Sequence, residues 1–535
     1  MYKKLLTLTC LLIFHVFIYA QSIPFEIHIE PIAVSGLGGL QSYAFGQHNG
    51  KWLIIGGRLD GLHRRQPFAA FDIAGNNNQL IVVDPTTLQK WSAPLTSLST
   101  DLKEQLSSTN MEFYQNENYL YVVGGYGYHA ASASKKTFDF ITAIDVPAVI
   151  NSIITGASLT PYFRQITDPQ FAVTGGHLKK INNTFYLVGG HRFDGDYHPM
   201  GNSSFTQVYT NAIRKFNLTD NGTQIIVTHL PEITDAVNLH RRDFNVIPQI
   251  MPNGSEGLTA FSGVFQPTVN LPFLNCVNID STAYEVNNTF EQHYNHYHCA
   301  VLPLFSILNN QMYNVFFGGI AQFYVNSGVL IQDDNVPFVN TIACVIRDEN
   351  GIMTEYKLPA EMPAYLGAGA EFIPLVSAPH YDNHVINLDN LSNDTTLIGY
   401  IYGGISSTAP NIFFTNTGSQ SSASSQIYKV FVIKNTTVGF HELNGNSIST
   451  LNLQVFPNPN DGNFEIQFYL DKVVDIKLLV YSNDGRKIDE TKLTNLKTGV
   501  NSYQFKLKNS DLNGVLLLTI DTPTERTTQK IVIKQ

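Results

Sequence analysis

Two short runs gather the side chains best suited to chemistry. Leu239-His240-Arg241-Arg242-Asp243 sets two guanidinium groups beside an imidazole. Arginine forks grip carboxylates and phosphates through paired hydrogen bonds, so this run is a candidate contact for an anionic ligand or a sugar acid. Salt bridging between neighbouring strands, with Asp243 as partner, is the competing structural job. The second run holds His293, His296 and His298. In a strand, residues 296 and 298 share one face. Two imidazoles there, with a third ligand from elsewhere, form a metal site; hydrogen-bonded, half-buried histidines are the alternative, and no metal is assigned. His177 and Tyr365 join His240, Arg241, Arg242, His296 and His298 as candidate ligand-binding residues, because all lie in segments leading into one kind of strand. The acidic runs Phe193-Asp194-Gly195-Asp196 and Asp333-Asp334-Asn335 fall short of the about six to eight oxygens that calcium takes.

Other chemistries leave no trace. No Gly-x-Ser-x-Gly elbow, His-Glu-x-x-His helix, phosphate loop or dinucleotide fingerprint occurs. No catalytic residue and no cofactor is therefore expected. The formal charge is −10, the wrong sign for a nucleic-acid partner.

The elements that must position these residues repeat. An apolar run ending in a glycine pair recurs at Trp52 to Gly57, Leu120 to Gly125, Phe185 to Gly190, Asn314 to Gly319 and Gly399 to Gly404, with a degraded copy from Leu258 to Gly263 in which Ser262 replaces the first glycine. Spacings of 68, 65, 73, 56 and 85 residues give a unit of about 69. A strand-like run lies about ten residues upstream of each pair, as at 42–46 and 178–181. A third and fourth run follow downstream, as at 212–218 and 224–230. Six units of four short antiparallel strands are the pattern of a propeller. The glycine pair lets the chain leave the second strand at dihedrals other residues avoid and lets neighbouring sheets approach closely. Residues 25–32 or 439–443 are available to supply the outermost strand of the last unit.

These repeats resemble the kelch family, through the apolar run with its glycine pair and through the turn Asp84-Pro85-Thr86-Thr87-Leu88-Gln89-Lys90-Trp91 of the first unit. The resemblance covers roughly 38–446; later units lack the tryptophan, and the added length sits in loops after the glycine pairs, such as 58–78 and 191–210. It implies a six-bladed β-propeller whose long loops on a rigid scaffold carry binding. Some kelch propellers are copper-radical sugar oxidases or a sialic-acid mutarotase. The resemblance thus also implies, as the alternative, a carbohydrate-active enzyme with its site at the channel mouth. The radical oxidases need a crosslinked Cys–Tyr pair, and nothing in the sequence around Cys276 and Cys299 marks one.

Composition changes near residue 450. Leu451 to Gln535 carry 11 basic and 10 acidic residues and no cysteine or histidine, against the acidic excess of the whole chain. Period-two runs at 465–470, 475–481, 503–508, 515–520 and 529–534 read as a small antiparallel β-sandwich. The opening Pro457-Asn458-Pro459 through Gly462, the Asn483-Asp484-Gly485 turn, and the closing strand from Lys530 to Lys534 resemble the C-terminal sorting domain of the type IX secretion system. Pro457, Asn458, Pro459, Gly462, Asp484, Gly485, Lys530 and Lys534 carry that resemblance. It implies handling by the type IX machinery, removal of the tail, and release or anchoring at the surface.

Lys3 and Lys4 precede an apolar stretch from Leu5 to Ala20, a secretory signal peptide by pattern. Its removal takes Cys10 and leaves Cys276, Cys299 and Cys344. Three cysteines form one bridge and a leftover thiol, or three buried thiols. No later stretch is long and apolar enough for a transmembrane segment. The sequence thus predicts an all-β chain: signal peptide 1–20, a six-bladed kelch-type β-propeller over 21–446, and a C-terminal β-sandwich over 451–535. The expected protein is secreted or displayed on the outer-membrane surface of a Gram-negative bacterium, and binds an extracellular glycan or protein.

Overall fold

The computed structural model describes residues 23–66, 69–198, 204–392, 394–434, 451, 453–470, 472–482, 486–494, 496–508, 514–522 and 526–534. The expected signal peptide, the 439–443 strand, Asp484 and Gly485 lie outside the described residues. The chain divides into two compact units, Met1–Asn435 and Thr436–Gln535.

Among the described residues of the first unit, six sheets share one antiparallel four-stranded plan. The first pairs Ala44–His48, Lys51–Ile55, Gln79–Asp84 and Gln89–Pro94 in that order. The same meander recurs in the second sheet from Glu112–Asn116 to Phe163–Thr167, and in the third from His177–Ile181 to Ile225–Thr234. It recurs in the fourth from Asn245–Ile250 to Tyr284–Asn287, and in the fifth from Ala300–Ser306 to Met353–Glu361. The sixth runs Tyr365–Pro374, Thr395–Ser407 and Ile427–Lys434, and its outer strand is Phe25–Ile32, paired from Phe25 against Lys434 to Ile32 against Ile427.

The second strands are the most apolar because both of their faces are covered: Leu53, Ile54, Ile55, Leu120, Val122, Val123 and Phe316 are buried. In the first four sheets this strand ends at the glycine pair or its Ser262–Gly263 copy, and in the fifth and sixth, Gln311–Ile320 and Thr395–Ser407, it runs on through the pair. Gly124 has φ +64° and Gly125 φ +91°. A Cβ on Gly124 would collide with the Val173 carbonyl of the segment leading into the next sheet, and the Gly125 amide donates to that same carbonyl at 2.9 Å. Equivalent bonds run from Gly57 to Ser108, Gly190 to Arg241, Gly263 to His296 and Gly404 to Leu40, at 2.7–3.2 Å. The pair is therefore a staple between consecutive sheets. Ser262 fills the degraded copy by accepting φ +50° and donating its hydroxyl to Phe273 O at 2.7 Å.

Irregular segments depart from plain loops. Hairpins Tyr126–His129 with Ser134–Thr137, His191–Gly195 with Phe205–Tyr209, and Phe323–Asn326 with Val329–Gln332 fold within the connections after three glycine pairs. The helix Val146–Thr155 starts at Asp145, whose carboxylate accepts from Ala148 N, and ends at Gly156, φ +72°. Cys276, Cys299 and Cys344 are buried free thiols. Burial pushes the first two up to about 12.

The second unit is a sandwich. One sheet has the order Gln454–Phe456, Asn463–Leu470, Gly499–Lys506; the other has Lys487–Leu493, Ile476–Ser482, Gly514–Asp521, Arg526–Ile533. Phe464, Ile466, Phe468, Leu478, Val480, Leu518, Ile520 and Ile531 fill the space between them.

Candidate functional site

At each inner strand one residue donates its amide to the neighbouring sheet that precedes it around the cycle; it lies just before the strand in the first five sheets and inside it, at Gly369, in the sixth. Ser42 N donates to Gly369 O, Gly369 N to His298 O, His298 N to Asp243 O, Asp243 N to Gly175 O, Gly175 N to Asn110 O, and Asn110 N back to Ser42 O, all at 2.8–3.2 Å. The cycle closes on itself with one residue from each sheet. Ser42, Asn110 and Asp243 adopt φ of 50–54° to point amide and carbonyl along it, and asparagine and aspartate tolerate that region better than most residues.

Beside this cycle lies a cavity of about 40 Å³ lined by Glu112, His177, Lys179, Asp243, His298 and Glu371 among others. That is room for about three waters. Glu112 accepts from Gly176 N at 2.8 Å through one oxygen, and its other oxygen has no partner. Burial drives its carboxyl well above the usual range against the pull of that amide. Burial also lowers the Lys179 ammonium, with Glu371 opposing. The His177 imidazole is pushed well below its ordinary value by burial, then by Lys179 and His298, and its Nε2 bonds Phe244 O at 2.6 Å. His298 Nε2 stands 3.0 Å from Glu371 Oε1, and its ring meets that of His177 edge-on at 5.3 Å. At the other end of the inner strands the 375–391 connection crosses over. Ile386 pairs with Leu304, Asn383 Nδ2 donates to Gln249 O at 3.0 Å, and His384 lies 6.3 Å from Tyr114.

The loops after the glycine pairs emerge at the end where the cycle lies, because the second strands run antiparallel to the first. Arg242 stands there. Its Nε donates to Tyr209 Oη at 3.1 Å, Nη1 pairs with Asp243, and the guanidinium lies 5.2 Å over the Phe265 ring. Burial works against its charge, but Asp243 and then Tyr209 and Tyr297 raise the guanidinium above its ordinary value. His240 stacks on Tyr209 at 3.7 Å and bonds Asn211 Oδ1 at 2.8 Å. The connection of the first sheet straps this end. Arg58 ties it down through Asp60, Asn76 Oδ1 and Asp72 O. Leu62, Leu271, Tyr297, Tyr365 and Phe413 all pack against the buried cluster that holds Ile320, Phe338 and Ile405. Asn416 Nδ2 donates to Leu62 O and His63 O at 2.7 and 3.0 Å. His63 meets Tyr197 at 4.8 Å; burial lowers its imidazole to about 4, with Arg242 and Arg58 acting in the same direction.

The candidate residues therefore divide. Arg242, His240 and Tyr365 stand at the loop-bearing end, and His177 and His298 stand at the cavity. Arg241 and His296 join neither. Arg241 is 1% exposed; it donates to Asn238 O, Ser262 O, Asn275 O and Asn275 Oδ1 at 2.5–3.0 Å and lies 4.0 Å over Phe273. Four of its five donors are spent holding irregular backbone. His296 is fully buried, its Nε2 on Gln292 O at 2.7 Å and its Nδ1 accepting from Gln322 N at 2.9 Å. The expectation that 296 and 298 share a face needs a strand. The segment is irregular until Ala300, so the two rings part. The acidic runs are likewise engaged: Asp194 accepts from Arg192, Asp196 from Lys135, Asp333 from Asn411 and Asp334 from Gln322.

Sequence reasoning missed Glu112, Lys179 and Glu371 at the cavity, and His63, Tyr209 and Tyr297 beside Arg242. The available signal for the first set was a charge interrupting an apolar inner strand, as in Met111-Glu112-Phe113 and Ala370-Glu371-Phe372. In the tail, Pro457, Asn458, Pro459 and Gly462 form a turn beside the terminal strand that carries Lys530.

Residues 454–534 match the secretion system C-terminal sorting domain. That match indicates secretion or display at the cell surface through type IX handling. No helix among the described residues is long and apolar enough to cross a membrane. Among solved structures the chain is similar to YjhT, with 12% identity and a TM-score of 0.39 over 74% of this chain and 96% of that one. It is also similar to a fungal alcohol oxidase of the AA5 family in complex with copper, with 9% identity and a TM-score of 0.35 over 96% and 100%. A third is an exo-1,5-alpha-L-arabinanase from a bovine ruminal metagenomic library, with 9% identity and a TM-score of 0.26 over 61% and 99%. No curated protein sequence matches.

Proposed function

We propose that the mature protein is a secreted or surface-displayed six-bladed propeller of kelch type, residues 21–446, that binds an extracellular glycan or protein through its loop-bearing end. Residues 451–535 are the tail that the type IX machinery of a Gram-negative bacterium reads and removes, after the 1–20 signal peptide has taken the chain across the inner membrane. The cycle of six backbone bonds, one from each sheet, supports a closed ring. The observation that carries the binding reading is a magnitude. The cavity among the inner strands has about 40 Å³, so a ligand of sugar size or larger is met outside it, where Arg242 stands among Tyr209, Tyr297 and His240.

A glycan array probed with the full chain and with Arg242→Ala tests this. Binding that falls at least tenfold in the variant supports it; glycans bound equally well by both overturn the assignment to Arg242, and no glycan bound by either removes the sugar version. A second reading, a carbohydrate-active enzyme at the channel mouth, draws on the titratable cluster of Glu112, His177, Lys179, His298 and Glu371. It requires the strap that carries Leu62 and His63 to lift. Sugar turnover lost in Glu371→Gln favours it, and no turnover of any glycan that binds removes it. Export is tested separately: a chain lacking 451–535 accumulates in the periplasm, and its normal secretion overturns the sorting assignment.

A further inference from the structure

The terminal strand Arg526–Ile533 is the edge of its sheet, bonded on one side to Gly514–Asp521. An exposed edge offers unpaired amides and carbonyls to any other extended chain. Here part of that edge is sealed by the turn that opens the tail. Asn458 Nδ2 donates to Lys530 O at 2.9 Å, and Val532 N donates to Asn458 Oδ1 at 2.7 Å. Asn460 N donates to Val532 O at 2.9 Å, and Lys534 N to Asn460 O at 2.8 Å. The side-chain amide of Asn458 thus offers one donor and one acceptor to alternate residues of the strand, the same service a paired strand residue gives. Aspartate has no donor for the Lys530 carbonyl and alanine has neither group. The flanking Pro457 and Pro459 fix their own φ and carry no N–H, so the turn offers no donors at those positions that would extend the sheet further. Asn460 is held in turn by its own amide, which donates to Pro457 O at 3.2 Å, while its Oδ1 accepts from Gly462 N at 2.8 Å.

We propose that Asn458 is the lock on the strand Arg526–Ile533, and that the export machinery reads the locked edge, so that a tail whose edge is open is not exported. The lock joins positions 74 residues apart, so it forms only when the opening turn and the strand Arg526–Ile533 of the tail have come together. The proposal rests on the reading of this tail as the sorting signal. Asn458 is a positioning residue in it: it acts through the strand.

The test uses the full chain in a bacterium with type IX secretion, comparing Asn458→Ala, Asn458→Asp and the milder Asn458→Gln with Asp461→Ala. Asp461 sits in the same turn, and its carboxylate accepts from Asn463 N and Nδ2 rather than from the strand Arg526–Ile533. Two quantities are read: the exported fraction, and amide exchange at Val532 and Lys534 in the purified full-length chain. The expected result is exchange at least tenfold faster in N458A and N458D with export reduced at least fivefold, an intermediate N458Q, and D461A equal to wild type in both. Wild-type export from a variant whose Val532 amide has opened overturns the proposal. So does lost export with Val532 as protected as in wild type. If N458A is degraded before export, the ranking of N458Q and N458D decides: export that does not follow exchange overturns it. Normal export of the chain lacking 451–535 sinks the sorting reading itself, whereas that chain trapped beside a freely exported N458A sinks the lock alone.

Discussion

Within Met1–Asn435, Arg241, Arg347, Glu112 and His296 are each no more than 2% exposed, and each bonds backbone atoms of other segments. Within Thr436–Gln535, the core is Phe, Ile, Leu and Val, and Leu451 to Gln535 contain no histidine or cysteine. The contrast follows from how the sheets meet. Two stacked sheets bury side chains against side chains, and apolar residues suffice. In the first unit, each glycine pair and each lead-in segment brings irregular backbone into the interior, where its carbonyls and amides need partners. Guanidinium, imidazole and carboxyl groups serve there as multi-point bridges. The first unit therefore leans far more on buried polar bonds than the tail, whose buried polar side chains among the described residues are Asn460, Asp489, Asn501 and Thr519, and the responses of the two units to mutation and pH should differ.

The largest difference should come from Arg241→Met. The change leaves Ser262 O and Asn275 O without their donor and should cost the first unit about 3–5 kcal/mol, as for breaking a buried charged network. In calorimetry of the full chain, the transition of the first unit falls steeply while that of the tail stays put. A joint fall of both transitions would mean the units do not unfold independently.

Gly124→Ala tests the staple. It places a side chain at φ +64° and against the Val173 carbonyl, so the second and third sheets must separate. The expected loss is about 3 kcal/mol, combining the left-handed penalty with overpacking. The same substitution at Gly499 of the tail, which also has positive φ but meets nothing within 4 Å of an added Cβ, should cost only the smaller backbone part, about 1 kcal/mol. Equal losses at the two sites would remove the staple as an explanation.

Acid should separate the units next. Burial pushes the His296 imidazole down to about 4, below its value in the unfolded chain. The unfolded state then binds the proton more tightly. Stability is complete above pH 6.5, declines as pH falls, and is fully lost from this group near pH 4. Between pH 7 and pH 5 this one imidazole removes about 2 kcal/mol from the first unit. The tail has no histidine, so its transition should hold over that range. Parallel acid shifts of both units would show that carboxylates, not imidazoles, set the acid limb.

This contrast also explains how far the sequence could be read. The glycine pairs were visible because positive φ and close approach admit few other residues, and 25–32 was visible as a strand-like run. Of the two runs offered for the outermost strand of the sixth sheet, only pairing chose, and Phe25–Ile32 lies against Ile427–Lys434. The tail strands followed period two because one face of each is buried. The polar residues resisted reading for one reason. Arg241 and Arg242 are adjacent in an irregular segment, and which of them turns inward is decided by carbonyls at 262 and 275. No local pattern encodes those partners. His296 and His298 parted in the same way, and the hairpins within the long connections mix polar and aromatic residues without clear alternation.

The smallest effect belongs to the tail's exterior. Lys492 Nζ lies 3.0 Å from Asp475 Oδ2, and both side chains are more than half exposed. Two hydrated, mobile groups gain little from meeting in water, so Lys492→Ala should move the tail's transition by no more than about 0.5 kcal/mol. Arg164 with Asp220 is the counterpart in the first unit, a two-point pair at 3.1 and 2.6 Å with side chains only 12% and 2% exposed. Arg164→Ala strands a buried carboxylate and should cost several times more. Thermal melts of the two variants at low and high salt complete the test, since screening weakens the exposed pair and leaves the buried one nearly unchanged. If Lys492→Ala proved as costly as Arg164→Ala, the tail too would depend on polar pairing, and the division between the units would fail.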